Sequence, residues 1–368
     1  MYDGVEQREL NKSERLFRYL YDAIRRGELQ HGSRLASESE LAKAHNCSRI
    51  TVRSSLRQLQ ELKLIRRVRG DGTYISSEGV RFSSRRNIAL VGDATYDDPF
   101  FQGVDPYFSH LMHGLLQNGN TLDFSANFIV VQPRDVNFMG AFARQGIRLC
   151  DFDGLIFTRQ LTAPELDLLE QERRHFVALQ EPCDDREISY AAIDNVSGAH
   201  LATNHLLDRG RRELIFFHDS LDIKVNRDKM TGFNRALDEA GIDSSPAARR
   251  HYEIDPMSIE SGAEVIRRLL DEKQTFDGLI VRGDWAFIGM VNVLREKKIR
   301  IPEDVSLILY DDPAIASRVL NLEISHIWQP YSEQLRNALE ILTRNLSRPL
   351  PINTVHIIQP TLVVRKTS

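Results

Sequence analysis

Ser48-Arg49-Ile50-Thr51-Val52-Arg53-Ser54-Ser55-Leu56-Arg57-Gln58-Leu59 carries two patterns on one helical period. Val52, Leu56 and Leu59 have the spacing of a buried face, while Arg49, Arg53 and Arg57 fall at i, i+4 and i+8 on the other side. Ser48 supplies the N-cap. Immediately upstream, Ser37 can cap another helix with Glu40 at the reciprocal capping-box position, and that helix breaks at His45-Asn46-Cys47. Further upstream, Leu16, Leu20, Ala23 and Ile24 mark one face of a first helix that ends at Arg25-Arg26-Gly27. Two short helices joined by a tight turn, the second bearing a row of arginines, form a helix-turn-helix. Its second helix can enter the major groove, where arginine donates two hydrogen bonds to guanine. The N-terminus of that helix also attracts phosphate.

A solvated charged face would explain the arginines alone. Downstream, however, Leu64 to Ile75 reads as two short strands around Gly70-Asp71-Gly72, a hairpin with basic flanks. A helix-turn-helix followed by a basic hairpin is a winged helix.

The charge distribution sharpens this division. The 368 residues hold 48 Lys+Arg and 52 Asp+Glu, a net charge of -4. Residues 43–86 carry a net of +8 and residues 87–368 a net of -11, so a basic module is joined to an acidic body. With 42% apolar residues the composition is globular, which excludes wholesale disorder, and the length favours two or three domains. No apolar run approaches the roughly 18 residues of a membrane span, and MYDGVEQREL lacks a signal-peptide core. A cytoplasmic protein with no membrane partner is expected. Cys47, Cys150 and Cys183 form no CxxC, which fits a reducing compartment.

Residues 77–86 are polar and aperiodic, a linker between a DNA-binding domain at 1–76 and a body at 87–368. In the body, Ile88–Val91, Phe128–Val131, Leu155–Phe157 and Phe176–Leu179 read as strands separated by helix-length intervals. Leu214–Phe217, Leu279–Val281 and Leu307–Leu309 begin a second series. Strand-helix alternation implies an α/β fold with parallel sheets, and two series imply two lobes. A last helix places Leu335, Ala338, Leu339, Leu342 and Leu346 on one face.

GxGxxG, GxxxxGK[ST] and GxSxG are absent. His110/His113 and His200/His205 lack the i, i+4 spacing of HExxH, so no metal or other cofactor is expected. Two α/β lobes without catalytic signatures suit a clamp that holds a small molecule at the strand ends. An enzyme with an attached DNA-binding domain is the alternative; turnover of the bound ligand would distinguish it.

From Lys12 to Ser76 the chain resembles the DNA-binding domain of the GntR family of bacterial transcription regulators. The resemblance rests on Gly32-x-x-Leu35-x-Ser37-Glu38-x-Glu40-Leu41-Ala42, on Ser48-Arg49-x-Thr51-Val52-Arg53-x-x-Leu56-x-x-Leu59 and on the Gly70-x-Gly72-Thr73 wing. It implies DNA contacts by Ser48, Arg49, Thr51, Arg53, Arg69, Gly70 and Gly72. Ala36 stands in place of the family's usual proline and Ser39 in place of a DNA-contacting arginine, while Asp71 puts a negative charge between the wing glycines.

The body resembles the effector domain of the LacI/GalR family, which has a periplasmic-binding-protein-like fold. The resemblance is carried by Ile193-Asp194-Asn195-x-x-Gly198-Ala199, His205-Leu206-Leu207-Asp208-x-Gly210-x-Arg212, Arg227-x-x-x-x-Gly232-Phe233, Gly283-Asp284, Ile301-Pro302-x-Asp304-Val305-Ser306, Tyr310-Asp311-Asp312 and Gln329-Pro330. It implies effector contacts by Gln180, Arg227 and Asp311, with Gly283 and Asp284 at the same strand-end level. Phe100, Trp285 and Trp328 are candidates to cover a sugar face, against plain core packing. The combination is similar to arabinose-type repressors, which implies a repressor, double-stranded operator DNA, a sugar effector and a homodimer.

Overall fold

The computed structural model of the chain describes residues 12–25, 28–68, 70–76, 86–93, 110–111, 113–115, 124–132, 135, 137–182, 186–242, 250–347 and 352–368. Arg69, Phe100 and most of the 77–86 linker lie outside them. The chain divides into two compact units, Met1–Asn87 with Asn120–Ser125 and Ile88–Gly119 with Ala126–Ser368.

In the first unit, α1 (Lys12–Arg25), α2 (Glu38–Ala44) and α3 (Arg49–Glu61) precede the hairpin strands β1 (Ile65–Val68) and β2 (Gly72–Ile75). The caps form as the residues dictate. Glu40 donates its backbone N–H to Ser37 Oγ at 3.3 Å while its carboxylate accepts from Ser37 N at 2.7 Å, and Thr51 N donates to Ser48 Oγ at 3.1 Å. Leu16, Leu20 and Ile24 of α1, Leu41 of α2, and Val52, Leu56 and Leu59 of α3 share one buried core with Ile65 and Ile75. Burying each such aliphatic side chain contributes about 1.5–3 kcal/mol. Buried Ser55 donates to the Ser13 carbonyl at 2.7 Å, which pins α3 to α1 without leaving its hydroxyl unpaired. The hairpin is antiparallel with Ile65 opposite Ile75, and Arg34 adds a bridge to Tyr74 along its outer edge. Gly70 turns the wing at φ +79°, a left-handed conformation that a side chain would strain.

The second unit holds two lobes. The first contains β3 (Arg86–Asp93), β4 (Phe124–Val131), α4 (Phe138–Arg144), β5 (Gly154–Phe157), α5 (Ala163–Gln171), β6 (His175–Ala178) and β7 (Tyr190–Ile193). The chain then passes to the second lobe: α6 (Asn195–Asp208), β8 (Leu214–His218), α7 (Lys224–Glu239), β9 (Arg250–Glu253), α8 (Ile259–Asp271), β10 (Gly278–Val281), α9 (Asp284–Glu296), β11 (Ser306–Leu309), α10 (Ala314–Leu320) and β12 (His326–Trp328). It returns for α11 (Tyr331–Leu346) and β13 (Val355–Ile358), then crosses again to β14 (Thr361–Val363).

The first sheet has six strands in the order β13-β7-β6-β5-β3-β4, and the second six in the order β14-β12-β11-β10-β8-β9. Pairing is parallel from β13 through to β3 and from β9 through to β12, with β14 antiparallel on its edge. Parallel strands covered on both faces must be apolar throughout, which is why Leu-Ile-Phe-Phe of β8, Leu-Ile-Val of β10 and Leu-Ile-Leu of β11 are continuous apolar runs with every residue buried. The crossings between lobes fall at Asp194, at Gln329-Pro330 and at Gln359-Pro360. Two of them are tied together: Asp194 N donates to Ile358 O at 2.9 Å, and Gln359 Nε2 to the Asp194 carboxylate at 3.2 Å. α7 packs so close to α6 that a Cβ on Gly232 would lie 2.0 Å from the Val196 carbonyl oxygen.

Candidate functional site

The winged unit presents Arg49, Ile50, Arg53, Ser54 and Arg57 on the exposed side of α3, opposite its buried Val52, Leu56 and Leu59. Arg53 Nε donates to Glu38 Oε2 at 2.7 Å, and Arg67 of the wing reaches the other oxygen of the same carboxylate at 3.3 Å. Glu38 therefore holds one arginine from the helix and one from the hairpin on a common side. Arg57 is paired with Glu61 at 3.0 Å. Thr51 Oγ1 lies 2.8 Å from Ser48 Oγ at the start of the helix. At the wing, the Asp71 carboxylate accepts from the Tyr74 hydroxyl at 2.8 Å, a bond that raises the Tyr74 phenol above its usual range. Arg34 donates to the Asp71 carbonyl and covers Gly72 so closely that a Cβ there would meet its Nε at 2.8 Å. The negative charge expected between the wing glycines is exposed and is held by the Tyr74 hydroxyl, with Arg66 stacked 5.4 Å over the same ring.

The lobes enclose a cavity of about 710 Å³ built from the carboxyl ends of β6, β7, β8, β10 and β11 and from the loop after β9. Of the effector contacts expected from the sequence, Gln180, Gly283, Asp284, Trp285 and Asp311 all line it. Gln180 Nε2 donates to the Thr158 carbonyl at 3.0 Å, which leaves its buried Oε1 without a partner. Asp311 accepts from Gln329 Nε2 at 3.0 Å and from the Tyr331 hydroxyl at 3.3 Å. Gly283 sits at φ +90° with its Cα under Pro256, where a Cβ would lie 2.5 Å from the Pro256 carbonyl, so only glycine lets α9 begin here. Asp284, the first residue of α9, accepts from the Ala316 N–H at 3.0 Å. Burial, with Asp311 and Asp312 nearby, pushes its carboxyl up to about 7.

Arg227 is placed elsewhere. Its guanidinium donates to the Leu221 and Asp222 carbonyls at 2.8 and 2.7 Å, and it does not line the cavity. The residue that does is Lys229, two positions on and so roughly 200° around the helix, in phase with buried Asn226, Met230 and Phe233. Its ammonium lies 4.6 Å from the centre of the Tyr310 ring, and burial lowers it to about 8. A cation standing on the apolar face of α7 was the signal in the sequence. Trp328 does not line the cavity either; it is 39% exposed and packs edge-on against His110.

Sequence reasoning also missed Arg282 and Lys224. Arg282 Nη1 donates to Asp219 Oδ2 at 2.6 Å, a carboxylate that Asn226 Nδ2 also holds. Lys224 bridges the lobes, bonding Glu181 Oε2 at 2.6 Å across the cleft and Asp228 at 2.9 Å on its own helix. Burial opposes the charge of Lys224, but those carboxylates outweigh it and hold the ammonium above its usual range. A second bridge joins His110 Nε2 to Asp312 Oδ2 at 2.9 Å and lowers the Asp312 carboxyl. The other histidines singled out in the sequence have ordinary partners: His200 meets Glu239 at 2.6 Å and His205 meets Ser368 Oγ at 2.9 Å.

Residues 12–75 match the bacterial regulatory proteins of the gntR family, and residues 203–368 match the periplasmic binding protein-like domain. The chain is a GntR-type head joined to a periplasmic-binding-protein-like body. The arabinose metabolism transcriptional repressor of Halalkalibacterium halodurans is 27% identical to this two-part chain over 316 residues, covering 81% of it and 80% of the relative. The HTH-type transcriptional repressor PurR of Haemophilus influenzae is 26% identical over 246 residues, covering 66% of this chain and 70% of the relative. Among solved structures, the regulator CelR bound to cellobiose superposes with a TM-score of 0.66 at 19% identity, covering 91% of this chain and 100% of its own length. A LacI-family regulator of Enterococcus faecium with bound ribose gives 0.63 at 20% identity, covering 77% and 98%. At these identities the structures speak for the fold of the periplasmic-binding-protein-like body. Among the described residues, no helix is long and apolar enough to cross a membrane.

Proposed function

We propose that the protein is a transcriptional repressor that binds double-stranded operator DNA through its GntR-type head and releases it according to a sugar held between the lobes of its body. The observation that carries the reading is the exposed arginine row of α3 beside a basic wing, on the same chain as a two-lobed cleft. The relatives support it, being repressors by name. In this reading residues 1–76 bind DNA, 77–86 link, and 87–368 sense and dimerise. Ser48, Arg49, Thr51, Arg53, Arg69, Gly70 and Gly72 face the operator. Phe100, Gln180, Gly283, Asp284, Trp285 and Asp311 face the effector, and Lys229 joins them in place of Arg227. The protein acts in the cytoplasm as a homodimer, each head taking one half-site of a palindrome.

Eight carboxylates and three cations line the cleft, and two of the cations, Lys224 and Arg282, are already paired with carboxylates. Such a wall accepts hydrogen bonds and suits a ligand rich in hydroxyl donors rather than an anion. Sugar binding adds contacts to both lobes at once, so it biases their closure; a coupling of about 1–3 kcal/mol is enough to change operator occupancy. The binding test is the salt dependence of affinity for duplex DNA from the protein's own promoter. Phosphate neutralisation releases counterions, so log affinity should fall linearly with log salt, and a flat line would sink the reading.

A further inference from the structure

Ile50 is 79% exposed, more than any other large hydrophobic side chain among the described residues. It occupies the second position of α3, between Arg49 and Thr51, with Arg53 and Ser54 at i+3 and i+4 on the same exposed side. It is absent from the core that Val52, Leu56 and Leu59 form with α1. Single exposed apolar residues are common on protein surfaces and usually need no explanation. This one stands at the N-terminal end of the recognition helix, where side chains meet base edges. Helix propensity does not account for it, because a β-branched residue is a mediocre helix former.

We propose that Ile50 is a specificity-determining residue that packs on the C5-methyl group of a thymine in each operator half-site. The inference rests on the DNA-binding reading of the head. The thymine methyl is the apolar feature that a base pair presents in the major groove, and it distinguishes thymine from cytosine at the same position. Arg49 and Arg53 flank Ile50, and Arg53 is steadied by Glu38 at 2.7 Å, so polar contacts on either side can set the register of the methyl contact. A β-branched side chain has few χ1 states and loses little freedom when it docks. Ser39, on α2, offers only a short hydroxyl, so the base pairs beneath α3 rely more on side chains of α3 itself.

The experiment uses the full-length chain to select sites from a randomised duplex pool, then replaces each thymine of the selected site with deoxyuridine, which keeps base pairing and removes only the methyl group. One thymine per half-site should show a loss of about fourfold on losing its methyl, the equivalent of one buried methylene. Ile50→Ser should bind thymine and deoxyuridine duplexes alike at that position, while Ile50→Val should keep the preference. Equal binding of the two duplexes by the unmodified protein at every thymine, or a methyl effect that survives in Ile50→Ser, overturns the proposal. Selection of no site at all would instead remove the DNA-binding reading on which it stands.

Discussion

Lys229 holds its ammonium 4.6 Å from the centre of the Tyr310 ring, on the floor of the cleft between the lobes. The two residues come from α7 and from the end of β11, and Tyr310 is in turn anchored by its hydroxyl, which donates to the Asn195 carbonyl at 3.2 Å. A buried cation over an aromatic face is partly compensated, and it can gain more from a ligand oxygen. Lys229→Met, which keeps the length of the side chain, should weaken effector binding by about 1.5–3 kcal/mol, the worth of a hydrogen bond to a charged donor. Arg227→Ala should change it far less. Calorimetric titration with the sugar that shifts the wild-type melting temperature most would compare the two; equal losses would return Arg227 to the site.

Asp284 sets a pH dependence of stability. Burial pushes its folded carboxyl up to about 7, whereas an unfolded aspartate titrates at about 4. Between those values the folded state binds more protons than the unfolded state, so this group makes stability fall as pH rises from about 4 to 7 and level off above. Asp284→Asn removes the titration while its amide oxygen can still accept from Ala316 N–H. The variant should exceed the wild type at pH 8 by on the order of 2 kcal/mol, and the gap should close at pH 4 to 5. Urea unfolding at both pH values measures this, and a gap that is constant with pH would contradict it.

Glu38 holds both Arg53 and Arg67, so its replacement should alter DNA discrimination through those arginines rather than through loss of a base contact. Arg53→Ala should cost about 1–3 kcal/mol on the preferred site. Glu38→Gln should act differently. It removes a negative charge from the DNA-facing side, which tightens binding to random duplex by on the order of 1 kcal/mol, and it loosens both arginines, which lowers the ratio of specific to random binding. Competition binding with an unrelated duplex resolves the two effects. If Glu38→Gln raises the ratio, the carboxylate opposes specificity instead.

Gly232 is a packing residue. A methyl group there would collide with the Val196 carbonyl oxygen at 2.0 Å and approach His200 N at 3.0 Å, backbone atoms of α6 that cannot swing aside. Gly232→Ala should destabilise the body by about 1–3 kcal/mol, lowering its melting temperature by about 2–4 °C for each kcal/mol. A melting temperature equal to the wild type would mean that the two helices can separate freely.

Local patterns foretold the helix caps, the wing and the central strands of both lobes because each depends on neighbours in sequence. Ser37 with Glu40 and Ser48 with Thr51 are contacts three residues apart, and β8, β10 and β11 are apolar runs that only burial on both sides explains. The edge strands were less legible. β9 reads Arg-His-Tyr-Glu and β13 reads Val-His-Ile-Ile, with polar residues because an edge is covered only in part, and β14 has three residues.

The charge division between head and body, the winged helix and the two α/β lobes were determined by the order of residues alone, since capping, periodicity and composition act over short distances. Which side chains share the cleft was decided by tertiary structure. Arg227 and Lys229 are neighbours in sequence and both cationic, yet one bonds to loop carbonyls and the other stands over Tyr310, because packing α7 against α6 fixed the rotation of the helix. Likewise Glu38 gathers Arg53 and Arg67 from 15 and 29 residues away, and Lys224 meets Glu181 43 residues away across the lobes. Such pairings depend on where the chain returns in space, and no local pattern encodes that.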